Sequence, residues 1–179
     1  MLHAKSLRVI GQVLEAARIP NFELEKYGPE YMVWCDSVPQ AGELVMRNAL
    51  RQKHDTPIDR PTTNRVFCFS PADVSRLDAH AQKQRRYQSS SGTPVLKLLS
   101  QGLRTLGDHF DRLHVHGFRV EWRMGFVSID FRRMTGERNC MTLSAAELQR
   151  LCEHTRAQRR STGRVDSGLL GWYGEIENA

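Results

Sequence analysis

Apolar residues recur at helical spacing over residues 6–18, where Leu7, Ile10, Val13, Leu14 and Ala17 share one face, so the pattern predicts an amphipathic helix that Pro20 ends. From Phe22 the period drops to two. FELEK places Phe22 and Leu24 on one side, Tyr27-Gly28-Pro29-Glu30 reads as a turn, and YMVWCD follows, which together predict a β-hairpin. A short basic helix is expected in GELVMRNALRQKH, then a polar, proline-punctuated loop, DTPIDRPTTN, and a compact strand, RVFCF, at Arg65 to Phe69. Ser70 is placed to cap a helix running to Arg86, with Pro71 at the first helical position and Asp73 near the positive end of the helix dipole. After YQSSSGTP, which reads as a linker, VLKLLSQGLRTLGDHF returns to the helical period. RLHV, FRVEWRM and FVSIDFRR then alternate as strands, the turn MTGERN leads to CMTL, and a last helix starts at Ser144 with a Ser144-x-x-Glu147 capping box.

The last helix has a double. Ser70 to Arg86 and Ser144 to Arg160 align without gaps with eight identities in seventeen positions, and Asp73 against Glu147 and Val74 against Leu148 are near matches. The opening helices align as well, at an offset of 89, with Leu7, Gln12 and Leu14 falling on Leu96, Gln101 and Leu103. The later helices are offset by 74, so 89 minus 74 leaves 15 extra residues in the first half, which an insertion at 37–64 accounts for. The expected fold is α+β with a tandem internal duplication, each copy running helix, about three antiparallel strands, helix. Residues 1–86 form the first copy, 87–93 the linker, 94–160 the second copy and 161–179 a C-terminal tail. A copy of about 65 to 80 residues has a marginal core by itself, so the two are expected to pack as one pseudo-twofold body.

This order of elements shares the layout of a double-stranded RNA-binding domain, and duplication builds saddle-like proteins such as the TATA-binding protein. In the RNA-binding module, lysines at the start of the second helix grip phosphate. Here those starts, Ser70 to Asp73 and Ser144 to Glu147, are acidic, and the chain is assigned to neither family.

Charge bears on function more than on fold. The 179 residues are 40% apolar, enough for a real core, and carry a net charge of +6 with a pI near 9.5. Arginines outnumber lysines 21 to 5. The arginine fork suits phosphate, and a basic surface attracts nucleic acid or anionic membranes, although a GC-rich genome also favours arginine codons. No apolar run is long enough to span a bilayer, and Arg8, Gln12 and Glu15 interrupt the stretch where a signal peptide needs an unbroken apolar core, so no membrane is expected and the location is expected to be cytoplasmic. An arginine-bearing amphipathic start also fits a transit peptide, against which Glu15 counts. Cys35, Cys68, Cys140 and Cys152 lack metal-ligand spacing and are expected to be buried free thiols.

Each repeated helix ends in a basic cluster, Lys83, Arg85 and Arg86 in the first and Arg156, Arg159 and Arg160 in the second. The trios Arg76, His80, Gln84 and Arg150, His154, Gln158 recur at four-residue steps and give each helix one polar stripe. Donors of this kind suit nucleic-acid phosphates, while the competing explanation is that positive charge favours any helix C-terminus and that duplicates keep residues by descent. Arg119, Arg123, Arg132 and Arg133 interleave with Trp122, Phe126 and Phe131, a pattern that can stack on single strands, or one in which the aromatics fill the core while the arginines face water. His114 and His116, at i and i+2 near Asp108, His109 and Asp111, form a weak metal signal. Leu170, Trp172 and Tyr173 form an apolar knot in the tail that either docks on the protein or binds a partner.

Nucleophile elbows, P-loops, dinucleotide fingerprints and zinc-protease motifs are absent from the sequence, so no enzyme activity, metal or cofactor is expected. The sequence points to a non-catalytic nucleic-acid-binding protein that holds duplex phosphates with little base specificity. The alternative is a protein–protein interaction module, adaptor or inhibitor, using the 37–64 insertion or the tail.

Overall fold

The computed structural model describes residues 2–51, 62–84 and 94–162. Within them the chain runs α1 (His3–Ala16), β1 (Phe22–Tyr27), β2 (Glu30–Val38), α2 (Gln40–Leu50), β3 (Thr62–Phe69) and α3 (Pro71–Gln84). It continues through α4 (Pro94–Arg112), β4 (Val115–Trp122), β5 (Phe126–Arg133), β6 (Arg138–Ser144) and α5 (Ala145–Thr162). The expected α+β class holds. The strands form one antiparallel sheet in the order β3-β2-β1-β4-β5-β6, so β1 pairs with β4 and joins the earlier strands to the later ones, with Leu24 opposite Val120.

Alternation sorts the sheet into two unlike faces. Phe22, Leu24, Tyr31, Val33, Phe67, Val120, Ile129, Phe131 and Leu143 point one way and are buried under the helices. Residues of opposite parity, among them Glu23, Trp34, Arg119, Asp130 and Thr142, remain half-buried or exposed, so among the described residues this face is bare. The helices lie side by side in the order α3, α1, α4, α5, with α2 against α1 and α3. The closest of these contacts is between α1 and α4. Gly11 faces Ser100 and Gly107 faces Ala4, so the two helices cross antiparallel; a Cβ on Gly107 would stand 2.5 Å from the Ala4 Cα.

Charges hold the flanking helices. The buried Asp78 of α3 pairs with Lys5 at 3.0 Å and with Arg8, both on α1. The buried Glu43 of α2 pairs with Arg47 at 2.9 Å and with Arg65 of β3 at 3.1 Å. A buried carboxylate is tolerated only when opposed in this way. The first part of the insertion is therefore built into the body, with Met46 and Leu50 in the core and Leu44 facing outward. Residues 52–61 of the insertion, the linker 87–93 and the tail from 163 lie outside the described residues.

Several expectations change. RLHV is not a strand: Arg112 ends α4, Leu113 donates to the His109 carbonyl at 2.9 Å, and His114 turns at φ 51° before β4 begins at Val115. Helical spacing of Phe110 and Leu113 overrides the short alternation there. Thr62 to Asn64, read as loop, extend β3, because the long β2 offers partners as far as Val38. Cys35 and Cys152 are buried as expected, but Cys68 is half-buried and Cys140 is exposed on β6, because it occupies the bare-face parity of that strand.

The start of α1 also moves forward, to His3. Leu2 provides no side-chain cap, and Asp111 on α4 supplies one instead, accepting from the backbone N–H groups of His3 at 2.7 Å and Ala4 at 3.0 Å. Asp111→Ala is expected to lower stability by about 1–2 kcal/mol, read as a lower denaturant midpoint at unchanged m-value. An unaltered midpoint would show that the cap is dispensable.

Candidate nucleic-acid interface

The sequence of α5 places a polar face opposite a packing face. Leu148, Leu151, Cys152 and Thr155 are buried against the body, so Arg150, His154 and Arg156 on the other faces are exposed. A reciprocal capping box fixes where the helix starts: Glu147 N–H donates to Ser144 Oγ at 3.2 Å, and Ser144 N–H donates to Glu147 Oε2 at 2.7 Å. The same device starts α3, where Asp73 and Ser70 exchange bonds of 3.2 Å each. In α5 these bonds hold the Glu147 carboxyl below its usual range.

Along α4, Gln101, Arg104, Thr105 and Asp108 form a polar stripe that faces Cys152, Thr155, Arg156 and Arg159 of α5. Between them lies a cleft of about 100 Å³ lined by Gln101, Arg104, Thr105, Cys152, Thr155, Arg156 and Arg159. Arg156 Nη2 donates to Gln101 Oε1 at 2.7 Å, and Arg159 is paired with Asp108. Burial, and after it the neighbouring Arg104 charge, pushes the Arg159 guanidinium below its ordinary pKa. Behind the cleft His109 is fully buried, with Nε2 at 3.3 Å from Thr155 Oγ1, and burial, reinforced by the Arg112 and His154 charges, lowers its pKa to about 4.

Of the residues expected from sequence to bind, Arg156 and Arg159 come together and Arg150 stands exposed one turn or more nearer the start of α5. Arg104, Gln101, Thr105 and Thr155 join them without having been singled out. Their signal was present as polar residues at i, i+3 and i+4 on two helices, but nothing local says that the two stripes face each other.

Arg76 is occupied differently, donating to Asp73 at 2.8 Å and to the Ala49 carbonyl at the end of α2 at 2.5 Å. The Lys83, Arg85, Arg86 and Arg160 side chains, and Leu170, Trp172 and Tyr173, lie outside the described residues. The two capped helices begin at opposite ends of the sheet. Each follows its strand after at most one residue, and β3 and β6 run in opposite directions across the alternating sheet.

On the strands, Trp122 and Phe131 are buried, whereas Phe126 is 41% exposed on the bare face. The strand arginines face water but are matched by acids: Arg119 with Glu23 at 2.6 Å, Arg123 with Asp36 at 2.8 Å and Glu121 at 3.1 Å, Arg133 with Glu137 at 2.7 Å, and Arg138 with Asp130 at 2.5 Å. Glu23 and Glu121 stand directly opposite each other, and these arginines offset their repulsion. Arg132 is exposed beside Asp130 and Arg138 on the rim of a groove of about 370 Å³ over Gly117. The bare face is thus nearly balanced in charge among the described residues.

The histidine and aspartate cluster disperses. Asp111 caps α1, Asp108 pairs with Arg159, His109 is buried, and His114 sits in a turn, so it shares no strand face with His116. Among the described residues no three His, Cys, Asp or Glu side chains are placed to hold a metal ion, and no helix is long and apolar enough to cross a membrane. Comparison with protein-family models, with curated proteins and with solved structures finds no match to this chain.

Proposed function

We propose that this is a non-catalytic, cytoplasmic nucleic-acid-binding protein that holds duplex phosphates through the basic face of α5 and the adjoining turn of α4, with little base specificity. One observation carries the reading: Arg104, Arg156 and Arg159 gather from two helices around one cleft, where Asp108 pairs with Arg159. Guanidinium groups fixed in this manner suit phosphate oxygens, and Arg119, Arg123, Arg133 and Arg138, each matched by a carboxylate, are poor competitors for the role.

The body itself is proposed to be a tandem duplication whose copies meet about a pseudo-twofold between β1 and β4. The strand order is the same read outward from that pair, both repeated helices start with a reciprocal capping box, and Gly11 meets Ser100, its own counterpart at 100 minus 11, or 89, residues.

Binding to duplex DNA and RNA should weaken steeply as salt rises, because each phosphate neutralised releases counterions. Arg104→Glu with Arg156→Glu is expected to lower affinity at least tenfold and flatten the salt slope, at an unchanged melting temperature since both side chains are exposed. Equal affinity of the double variant would move the site elsewhere, and no binding at low salt would overturn the reading.

A second reading, a protein-interaction module, is favoured by the bare sheet face, where among the described residues Val66 and Phe126 are exposed beside the half-buried Met32 and Trp34. A stoichiometric protein partner recovered from the native host without nucleic acid would favour it.

A further inference from the structure

The bare face of the sheet, uncovered among the described residues, has a groove at one end. Gly117 sits beside a register shift in β4 and pairs with Arg132 of β5. A Cβ at Gly117 would meet nothing within 4 Å, so the strand is open at this point, with Lys26, His116, Arg119, Arg132 and Arg138 standing around it. A glycine inside a strand leaves its neighbours without a side chain to pack on, and an aromatic ring laid over it supplies the missing cover. Arg119 is tied to Glu23 and Arg138 to Asp130, whereas Arg132 is exposed and makes no ion pair among the described residues.

The end of α5 lies at the same end of the molecule. Leu148, near the start of α5, meets Gly102 and Trp122, while Arg159, near its end, pairs with Asp108 shortly before α4 stops at Arg112. β4 begins at Val115, just after α4, Gly117 lies opposite Arg132, and Arg132 lies opposite Arg138. The last turns of α5, the Arg138 end of the edge strand β6 and the groove therefore lie together. The sequence runs on from there through GRVDSGLLGWYGEIENA, with Trp172 ten residues after Thr162 and a net charge of −2 from Asp166, Glu175 and Glu177 against Arg164. Ten residues reach up to about 33 Å when extended. The path needs about 10 Å between the helical layer and the sheet and about 10 Å more across two strands, from β6 to β4.

We infer that the segment 163–179 of this same chain docks on the bare face, with Trp172 and Tyr173 laid over Gly117 and against the Arg132 guanidinium. Arginine planes stack on aromatic rings, and Glu175 and Glu177, which follow the rings, supply the opposite charge that Arg132 lacks. The inference does not rest on the nucleic-acid reading, which concerns the helical side. A foreign partner or a second copy could use this end of the bare face only by displacing the segment.

Nuclear Overhauser contacts in the full chain test this. Contacts between the Trp172 indole ring and the Gly117 α-protons are expected, at a strength independent of protein concentration. Trp172→Ala with Tyr173→Ala should shift amides around Lys26, Gly117, Arg132 and Arg138 and leave those of α1 and α4 in place. Arg132→Glu, at an exposed position that folding tolerates, is expected to abolish the contacts and move the indole N–H resonance to that of a synthetic 163–179 peptide, while Arg150→Glu on α5 changes neither. An indole resonance in the unaltered chain that already matches the peptide, amide shifts on the helical side instead of the groove, or an equal response to Arg150→Glu would overturn the inference. Contacts that vanish on dilution, with light scattering showing a dimer, would overturn docking within one chain and assign the face to a second copy.

Discussion

Gly107→Val is expected to cost at least about 3 kcal/mol of folding stability and to leave little folded protein at 37 °C. A Cβ at this position would lie 2.5 Å from the Ala4 Cα, 2.6 Å from the Ala4 nitrogen and 2.8 Å from the His3 carbonyl carbon. All three are backbone atoms of a neighbouring helix, so no side-chain rotation relieves the overlap, and α1 must move away from α4. Overpacking of this kind costs about 1–3 kcal/mol where side chains can adjust, and more where a helix must shift. The gain of about 1 kcal/mol or less in helix propensity on replacing glycine is too small to offset it. Displacing α1 would also break the cap that Asp111 places on His3 and Ala4. Gly125→Ala makes the control, because its Cβ would meet nothing within 4 Å. That variant should stay within about 0.5 kcal/mol of the parent by denaturant unfolding, and a Gly107→Val protein of parental stability would show that the two helices do not approach as closely as described.

Acidification should destabilise the protein between pH 6.5 and pH 4, by up to about 3 kcal/mol, through His109. The group is buried neutral, with its folded pKa lowered from 6.5 to about 4. Between these values the unfolded chain binds a proton that the folded protein refuses, so stability rises with pH across the window, is fully present above it, and falls as pH drops. Burial is the main cause, and the Arg112 and His154 charges add to it. His3, also lowered by burial, contributes in the same direction. Denaturant midpoints from pH 7 to pH 5, above most carboxylate titrations, isolate the effect. His109→Gln keeps a donor and an acceptor beside Thr155 and should flatten the slope; a slope unchanged in that variant would assign the dependence to other groups.

The order of elements was legible because each carries its own local signal: alternation in β1 and β5, the capping residues Ser70 and Ser144, and the turn at Gly28. The Ser144–Glu147 box formed as read. What failed was local pattern in competition with tertiary contact. Asp111 looked like part of a titratable cluster because no sequence rule says that it will meet the start of α1 more than a hundred residues away. RLHV alternates over four residues, too short a run to beat a helix that buries Phe110. The candidate site was half legible. Arg156 and Arg159 stood out as a basic helix end, but Arg104 and Thr105 entered only when α4 was laid beside α5. Arg76, by contrast, was drawn away by α2, an element of the insertion that the repeat pattern does not contain.

The β1–β4 pairing and the α1–α4 crossing lie back to back, one in the sheet and one in the helical layer. Pulling the earlier elements from the later ones would expose Leu24, Phe22, Trp122 and Val120 together with Leu7, Ile10, Leu103 and Phe110. Neither half keeps a closed core without that seam, and each is short enough that its remaining burial barely meets its entropy cost. The smallest piece that can melt cooperatively is therefore the whole sheet with its covering helices, and partial opening is confined to the periphery, at the outer strands and at the ends of α3 and α5.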